Sequence, residues 1–232
     1  MAGILYGVGV GPGDPELMTV KAVRTIQDCE VIGIPAKDRD SCRAYQIAKQ
    51  IAPEIAAKPA LAVPIPMTTD SGRLAAAYEE GCTKIMEQLA ACRSLAFLNL
   101  GDPTIYGTYM ELHKRVVAKG FEARIISGVP SFCAVAAALG IPLGFGRENI
   151  HILPGFYRPK EAEEYDGTRI LMKSAGKISE VKRNLVELEE AGRMKAYAVT
   201  NCGMESERVY QDICTLDEEA GYFTTIIVKE VE

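Results

Sequence analysis

The chain has 232 residues, 48% apolar and 25% charged, with a net charge of −5, which allows one large domain or two smaller ones with real cores. This acidic balance, with no tryptophan and 7% aromatics, argues against bulk nucleic-acid binding, which needs a field of Lys and Arg or an aromatic stacking platform. No apolar run approaches the ~20 residues that span a bilayer, and seven cysteines without short paired spacing argue against a disulfide framework or a zinc site.

Residues 4–10 read as a first strand running into Gly11-Pro12-Gly13-Asp14-Pro15-Glu16. Glycines at 7, 9, 11 and 13 invite a dinucleotide reading, which needs Gly at i, i+2 and i+5. From Gly7 the third position falls on Pro12, and from Gly9 on Asp14, so both registers fail. Pro12 also removes an amide from the place where a pyrophosphate needs one. A Walker Gly-Lys-Ser/Thr never occurs. What remains is either a plain tight turn or a small-residue loop shaped for something uncharged or zwitterionic.

A helix from about Thr19 carries Val20, Val23 and Ile26 on one face, with Thr19 or Asp14 as its cap. Residues 29–34 form a second strand closed by Pro35, followed by the charged loop Lys37-Asp38-Arg39-Asp40. Such a run is ordinarily a solvated turn. Loops after strands also face the ligand side of an α/β sheet, where Lys37, Arg39 and Arg43 can meet an anionic substrate. A helix with Ala44, Ile47, Ala48 and Ile51 ends near Pro53. Residues 61–67, interrupted by Pro64 and Pro66, make at best an edge strand, and an Ala-rich helix follows to about Cys92.

The apolar run Leu95, Ala96, Phe97, Leu98 and Leu100 reads as a buried strand that breaks at Gly101-Asp102-Pro103. Asp102 suits a cap for the next helix and Pro103 its first turn; the helix carries Tyr109, Leu112 and Val116 on one side. Residues 121–127 form another strand, ending at Gly128-Val129-Pro130-Ser131-Phe132, with Ser131 as cap of a helix over 133–139. Strand ends near 10, 100 and 128 thus all carry Gly, Pro and a polar residue. Alternating strands and helices imply a parallel sheet covered on both faces.

After Gly140 the pattern shifts. Residues 149–153 form a strand, 155–168 a polar loop with Arg158 and Lys160, and 169–172 a strand leading into Lys173. A helix with Ile178, Val181, Leu185 and Leu188 stops at Gly192, and strands close the chain at about 195–200, 207–214 and 223–229. Short links suit antiparallel pairing. The reading is therefore a two-domain α/β protein, an N-terminal domain over 1–132 and an α+β domain over 133–232, with a cleft between. His113 and His151 lack partners at ligand spacing and take structural roles, so no metal is expected. Cys29, Cys133 and Cys214 lie in apolar patterns, as small hydrophobes.

Four ordered blocks resemble the tetrapyrrole (precorrin) methyltransferase family: Val8-Gly9-Val10-Gly11-Pro12-Gly13-Asp14-Pro15 with Leu17-Met18-Thr19-Val20-Lys21-Ala22; Leu100-Gly101-Asp102-Pro103-Thr104-Ile105-Tyr106; Gly128-Val129-Pro130-Ser131-Phe132; and Gly140-Ile141-Pro142-Leu143. Gly-Asp-Pro-x-x-Tyr-x-Thr-Tyr and Gly-Val-Pro-Ser-Phe look most like the branch that methylates carbon-20 of precorrin-2 or cobalt-factor II. The departure is Leu100, where many relatives have Gly and where a side chain reshapes the cofactor pocket. The resemblance implies a bilobal homodimer acting in cobalamin biosynthesis, with S-adenosylmethionine as cofactor and a tetrapyrrole as partner, and the scattered free cysteines suit a reducing cytoplasm. By position it places cofactor contacts at Pro12, Leu100, Gly101, Asp102, Ile105, Tyr106, Pro130 and Ser131, then Met172, Ala198, Thr225 and Ile226. Asp102 and Tyr106 are the candidates for assisting proton removal. A substrate rich in carboxylates calls for basic residues among Arg39, Arg43, Arg158, Lys160 and Lys173. Methylation at another precorrin position, a same-fold methyltransferase for protein or RNA, and a non-catalytic binding protein remain the alternatives.

Overall fold

A computed structural model describes residues 2–154, 165–173 and 177–231. It divides into two compact units, Met1–Pro130 and Ser131–Glu232.

The first unit is built on a five-stranded, all-parallel sheet: β1 (Leu5–Gly9), β2 (Val31–Ile34), β3 (Ala60–Ala62), β4 (Leu95–Asn99) and β5 (Ala123–Ile126), in spatial order β3-β2-β4-β1-β5. Alternate residues of each strand serve opposite faces. Val8, Ile32, Ile34, Ala96 and Leu98 pack with Ala22 and Ile26 of α1 (Val20–Asp28) and with Ala44, Ile47 and Ala48 of α2 (Arg43–Ile51). Leu5, Val31, Leu95 and Phe97 pack with Cys82, Ile85 and Leu89 of α3 (Ser71–Ala90) and with Tyr109, Leu112 and Val116 of α4 (Tyr109–Ala118).

This arrangement has a consequence for the site. From β1 the chain crosses β4 to reach β2, and from β4 it crosses β1 to reach β5. The two neighbouring strands therefore send their connections in opposite directions and onto opposite faces. Their C-terminal ends mark a topological switch point, the place where open α/β sheets form a ligand crevice.

Thr19 and Asp14 each cap an element: Thr19 Oγ1 accepts from Ala22 N at 3.1 Å at the start of α1, and Asp14 caps the 3-10 turn Pro15–Leu17. The stretch with Pro64 and Pro66 yields only the three-residue edge strand β3. Asp102 does not cap α4, which starts six residues past Pro103. His113 is structural: the Tyr109 hydroxyl donates to Arg124 O at 2.7 Å, so His113 Nδ1, 3.0 Å away, carries the proton toward that hydroxyl.

The second unit opens with α5 (Ser131–Leu139), which includes Ser131 in its first turn, so Ser131 is not its cap. Its sheet, in order β6-β7-β10-β8-β9, comprises β6 (Ile150–Pro154), β7 (Thr168–Met172), β8 (Met194–Thr200), β9 (Arg208–Tyr210) and β10 (Thr224–Glu230). β6 and β7 are parallel and the other pairs antiparallel. The predicted strand over 207–214 is shorter, because Ile213–Thr215 turns as a 3-10 helix capped by Asp212. Leu171, Ala196, Ala198, Ile226 and Val228 bury one sheet face against Val181, Leu185 and Leu188 of α6 (Ile178–Glu190). Gly192, at φ +68°, ends α6 with Gly192 N on Glu189 O and Arg193 N on Leu188 O. Cys29 is buried, but Cys133 and Cys214 are exposed, because each falls on the outer side of its turn. Among the described residues no helix is long and apolar enough to cross a membrane.

Candidate functional site

At the crevice the three corners meet backbone to backbone. A Cβ on Gly9 falls 2.6 Å from both Gly101 O and Gly128 N, and one on Gly128 falls 2.3 Å from Gly101 O. Only residues without side chains allow this approach. Gly11 and Gly101, at φ +77° and +69°, form an antiparallel bridge with Gly101 N 2.8 Å from Gly11 O, and Val10 N donates to Asn99 O at 3.0 Å.

Asp102 fastens this junction. Its Oδ1 accepts from Thr104 N at 2.8 Å and Thr104 Oγ1 at 2.5 Å, and its Oδ2 accepts from Gly128 N at 3.0 Å, 26 residues away. Asp102 is 7% exposed, and its carboxylate ties the loop after β4 to the loop after β5. Sequence reasoning assigned Asp102 a local cap and missed this long-range bond. The glycine pattern at 9, 101 and 128 was the available signal.

The corner then climbs through Thr104, Ile105 and Tyr106 toward solvent. Tyr106 is 44% exposed and held at φ +50°, a left-handed conformation that costs a tyrosine free energy and persists only where its surroundings impose it. Gly107 follows because a Cβ there meets Pro103 O at 2.6 Å and Asn99 Oδ1 at 2.8 Å. Leu100 packs against the α1/α2 core, so the departure at this position is absorbed by the protein interior. Pro12 is buried and Pro130 half-buried, both within the converging loops.

Across residues 9–13, 99–107 and 127–130 the only formal charge is that of Asp102. The corner thus pairs closely packed glycine backbone with one buried negative charge. That set suits a neutral or cationic group and lacks the cations that would hold a phosphate.

In the second unit, Met172, Thr225, Ile226 and Ala198 sit side by side on three adjacent strands, with Thr225 opposite Met172 and Ile226 opposite Ala198. Ala198 and Ile226 are wholly buried in the core that the sheet shares with α6. Thr225 points to the other face, its Oγ1 3.5 Å from Ser131 Oγ.

The expected substrate cations divide. Arg39 is spent on the protein: its guanidinium donates to Ala56 O at 2.9 Å and to Lys58 O, and lies 5.5 Å from the centre of the Tyr45 ring. These partners belong to the Pro53–Ala57 turn and the residue after it, so Arg39 helps to anchor that turn. Arg43 and Lys173 are exposed, Lys173 at φ +62°. Arg158 and Lys160 lie outside the described residues. Glu189, Asp212 and Cys214 come within ligand distance of one another, but Glu189 already accepts from Ala196 N and Asp212 from Cys214 N.

The family profile of Tetrapyrrole (Corrin/Porphyrin) Methylases matches residues 4–218. The chain belongs to the tetrapyrrole methylase family. Among curated relatives, this methylase is 32% identical over 240 residues to the precorrin-2 C(20)-methyltransferase of Sinorhizobium sp, covering 97% of the chain and 95% of the relative. It is 35% identical to the probable cobalt-precorrin-2 C(20)-methyltransferase of Methanocaldococcus jannaschii, covering 77% and 76%. Among solved structures, a cobalt precorrin-4 methyltransferase shares the fold at 20% identity and a TM-score of 0.75, over 97% of this methylase and 94% of that chain.

Proposed function

We propose that this protein transfers a methyl group from S-adenosylmethionine to carbon-20 of precorrin-2 or its cobalt-bearing counterpart, as a step of cobalamin biosynthesis. The observation that carries the reading is the glycine junction at the crevice between β1 and β4, with its single buried carboxylate. Two relatives aligned over most of the chain carry carbon-20 specificity in their names, which supports the position. A structural neighbour, a uroporphyrin-III C-methyltransferase with a TM-score of 0.68, is complexed with S-adenosylhomocysteine, which supports the cofactor.

S-adenosylmethionine supplies an electrophilic methyl group on a sulfonium. Pro12, Gly101, Ile105, Tyr106 and Pro130 would hold it in the crevice, with Leu100 offering backbone. The Asp102 charge beside them favours a cationic guest. The protein's part is to fix the nucleophilic ring carbon in line with the methyl group and keep water out. Asp102 serves as a strut, since its oxygens are already engaged with Thr104 and Gly128. Tyr106 would pack on the cofactor. Ser131, Met172, Ala198, Thr225 and Ile226 are further residues that would hold it. Exposed Arg43 and Lys173, together with Arg158 and Lys160, would meet substrate carboxylates. The working form is a cytoplasmic homodimer.

The test incubates purified protein with S-adenosylmethionine carrying an isotope-labelled methyl group and precorrin-2, with and without cobalt. A product one methyl heavier, with the label on carbon-20 by NMR, is expected. An unchanged tetrapyrrole in both arms, or label at another carbon, overturns the reading.

A further inference from the structure

Asn99, the last residue of β4, continues the strand face on which Leu95 and Phe97 join the apolar core beneath α3 and α4. An amide is out of pattern there: Asn99 is 5% exposed, and asparagine is a residue type mostly left in water. Burying its polar atoms is unfavourable unless they are used.

Both ends of the loop that follows meet this one side chain. At the entry, Asn99 Nδ2 donates to Leu100 O at 2.8 Å. At the exit, the amide lies against Gly107, where a Cβ would fall 2.8 Å from Oδ1 and 3.2 Å from Nδ2. The backbone of Asn99 is fixed in turn: its carbonyl accepts from Val10 N at 3.0 Å, and the residue stands opposite Gly9 in the β1–β4 register. Between those ends the loop carries Tyr106 at φ +50°, a conformation that a tyrosine keeps only under constraint. Asp102 ties the same loop outward to Gly128, whereas Asn99 closes it on itself.

We propose that Asn99 is a positioning residue for methyl transfer: its amide holds the two ends of residues 100–107 together and so keeps Tyr106 in the left-handed turn that presents its ring to the cofactor. This role rests on the proposed methyl transfer, in which Gly101, Ile105 and Tyr106 hold S-adenosylmethionine. It is distinct from filling space. In Asn99→Leu a side chain of similar length continues the Leu95–Phe97 face, but it has no donor for the Leu100 carbonyl.

The test is a double-mutant cycle on the full-length protein, with S-adenosylhomocysteine affinity read by calorimetry at a temperature where circular dichroism shows each variant folded. Asn99→Leu is expected to weaken binding roughly tenfold, within the range of coupled neighbours. In a Tyr106→Ala background the same change costs about twofold or less, because the ring it positions is gone. Asn99→Ala repeats the cycle where the leucine variant does not fold. In the ligand-free protein, the Tyr106 backbone resonances by NMR are expected to leave their left-handed shifts in either variant. Unchanged affinity, equal losses in both backgrounds, or Tyr106 resonances that stay in place overturn the proposal. A wild type that binds no S-adenosylhomocysteine overturns the cofactor assignment and this role with it, whereas binding with an additive cycle overturns this role alone.

Discussion

At the scale of single residues, the junction depends on what is absent at Gly9 and present at Asp102. Replacing Gly9 by Ala pushes a methyl group against backbone atoms of two other loops at 2.6 Å, and backbone cannot rotate away as a side chain can. Gly9→Ala should therefore cost about 3 kcal/mol, the upper part of the overpacking range, read as a lowered denaturant midpoint. Asp102→Ala leaves Gly128 N without its acceptor, a loss of about 1–3 kcal/mol. Asp102→Asn should fall between wild type and alanine, because an amide offers one accepting oxygen where three donors converge. As a strut, Asp102 acts on position, so either variant lowers kcat/KM without reshaping the pH profile. Disappearance of one limb of that profile in Asp102→Asn would make the carboxylate a general base instead. If Tyr106→Phe and Asp102→Asn each abolished turnover with cofactor affinity intact, positioning alone would be insufficient.

At the scale of elements, segments distant in sequence hold one another through side chains that read as solvent-facing. Lys58 Nζ donates to Ile26 O, Gln27 O and Cys29 O, closing the C-terminal end of α1 with a positive charge where the helix dipole favours one. Arg39 in turn grips the backbone at Ala56 and Lys58. Lys58→Met strips three carbonyls of their donor and should destabilise the chain by about 1–3 kcal/mol in urea unfolding, with α1 amides exchanging faster. No change in either would mean that water replaces the ammonium without loss. These contacts explain what was legible beforehand. β1, β2, β4 and their helices were legible because burial on both faces writes continuous apolar runs and glycine ends into local sequence. The role of Arg39 was not, since its partners lie 17 and 19 residues away and a charged loop looks the same whether solvated or clamped. Asp102 was half legible: its own turn is local, while its bond to Gly128 depends on β1 lying between β4 and β5.

At the scale of the whole molecule, an acidic chain of pI about 5.3 meets falling pH with several carboxylates already committed. Among these, Glu148 is half-buried just before the edge strand β6. It accepts from Lys229 Nζ at 2.9 Å, from Thr168 Oγ1 at 2.7 Å and from Phe145 N at 3.0 Å, and Lys229 also reaches the carbonyls of Pro142 and Leu143. The bond from Lys229, more than the others, holds the Glu148 carboxyl below its ordinary 4.5, against the upward pull of burial. A carboxyl depressed in the fold binds its proton more weakly there than in the unfolded chain. Its contribution to stability is therefore complete above about 4.5 and is lost as pH falls through the lower folded value. Asp38, Glu54, Glu80 and Asp212 are depressed too, so the acid limb of the whole protein is a sum that no single titration separates. A difference does separate it. Glu148→Gln keeps the shape but cannot titrate, so the gap in melting temperature between wild type and variant should be constant from pH 6 to 8 and close steadily below about 4.5. A gap that stays open at pH 3 would mean that Glu148 contributes through packing and neutral hydrogen bonds, not through its charge on Lys229.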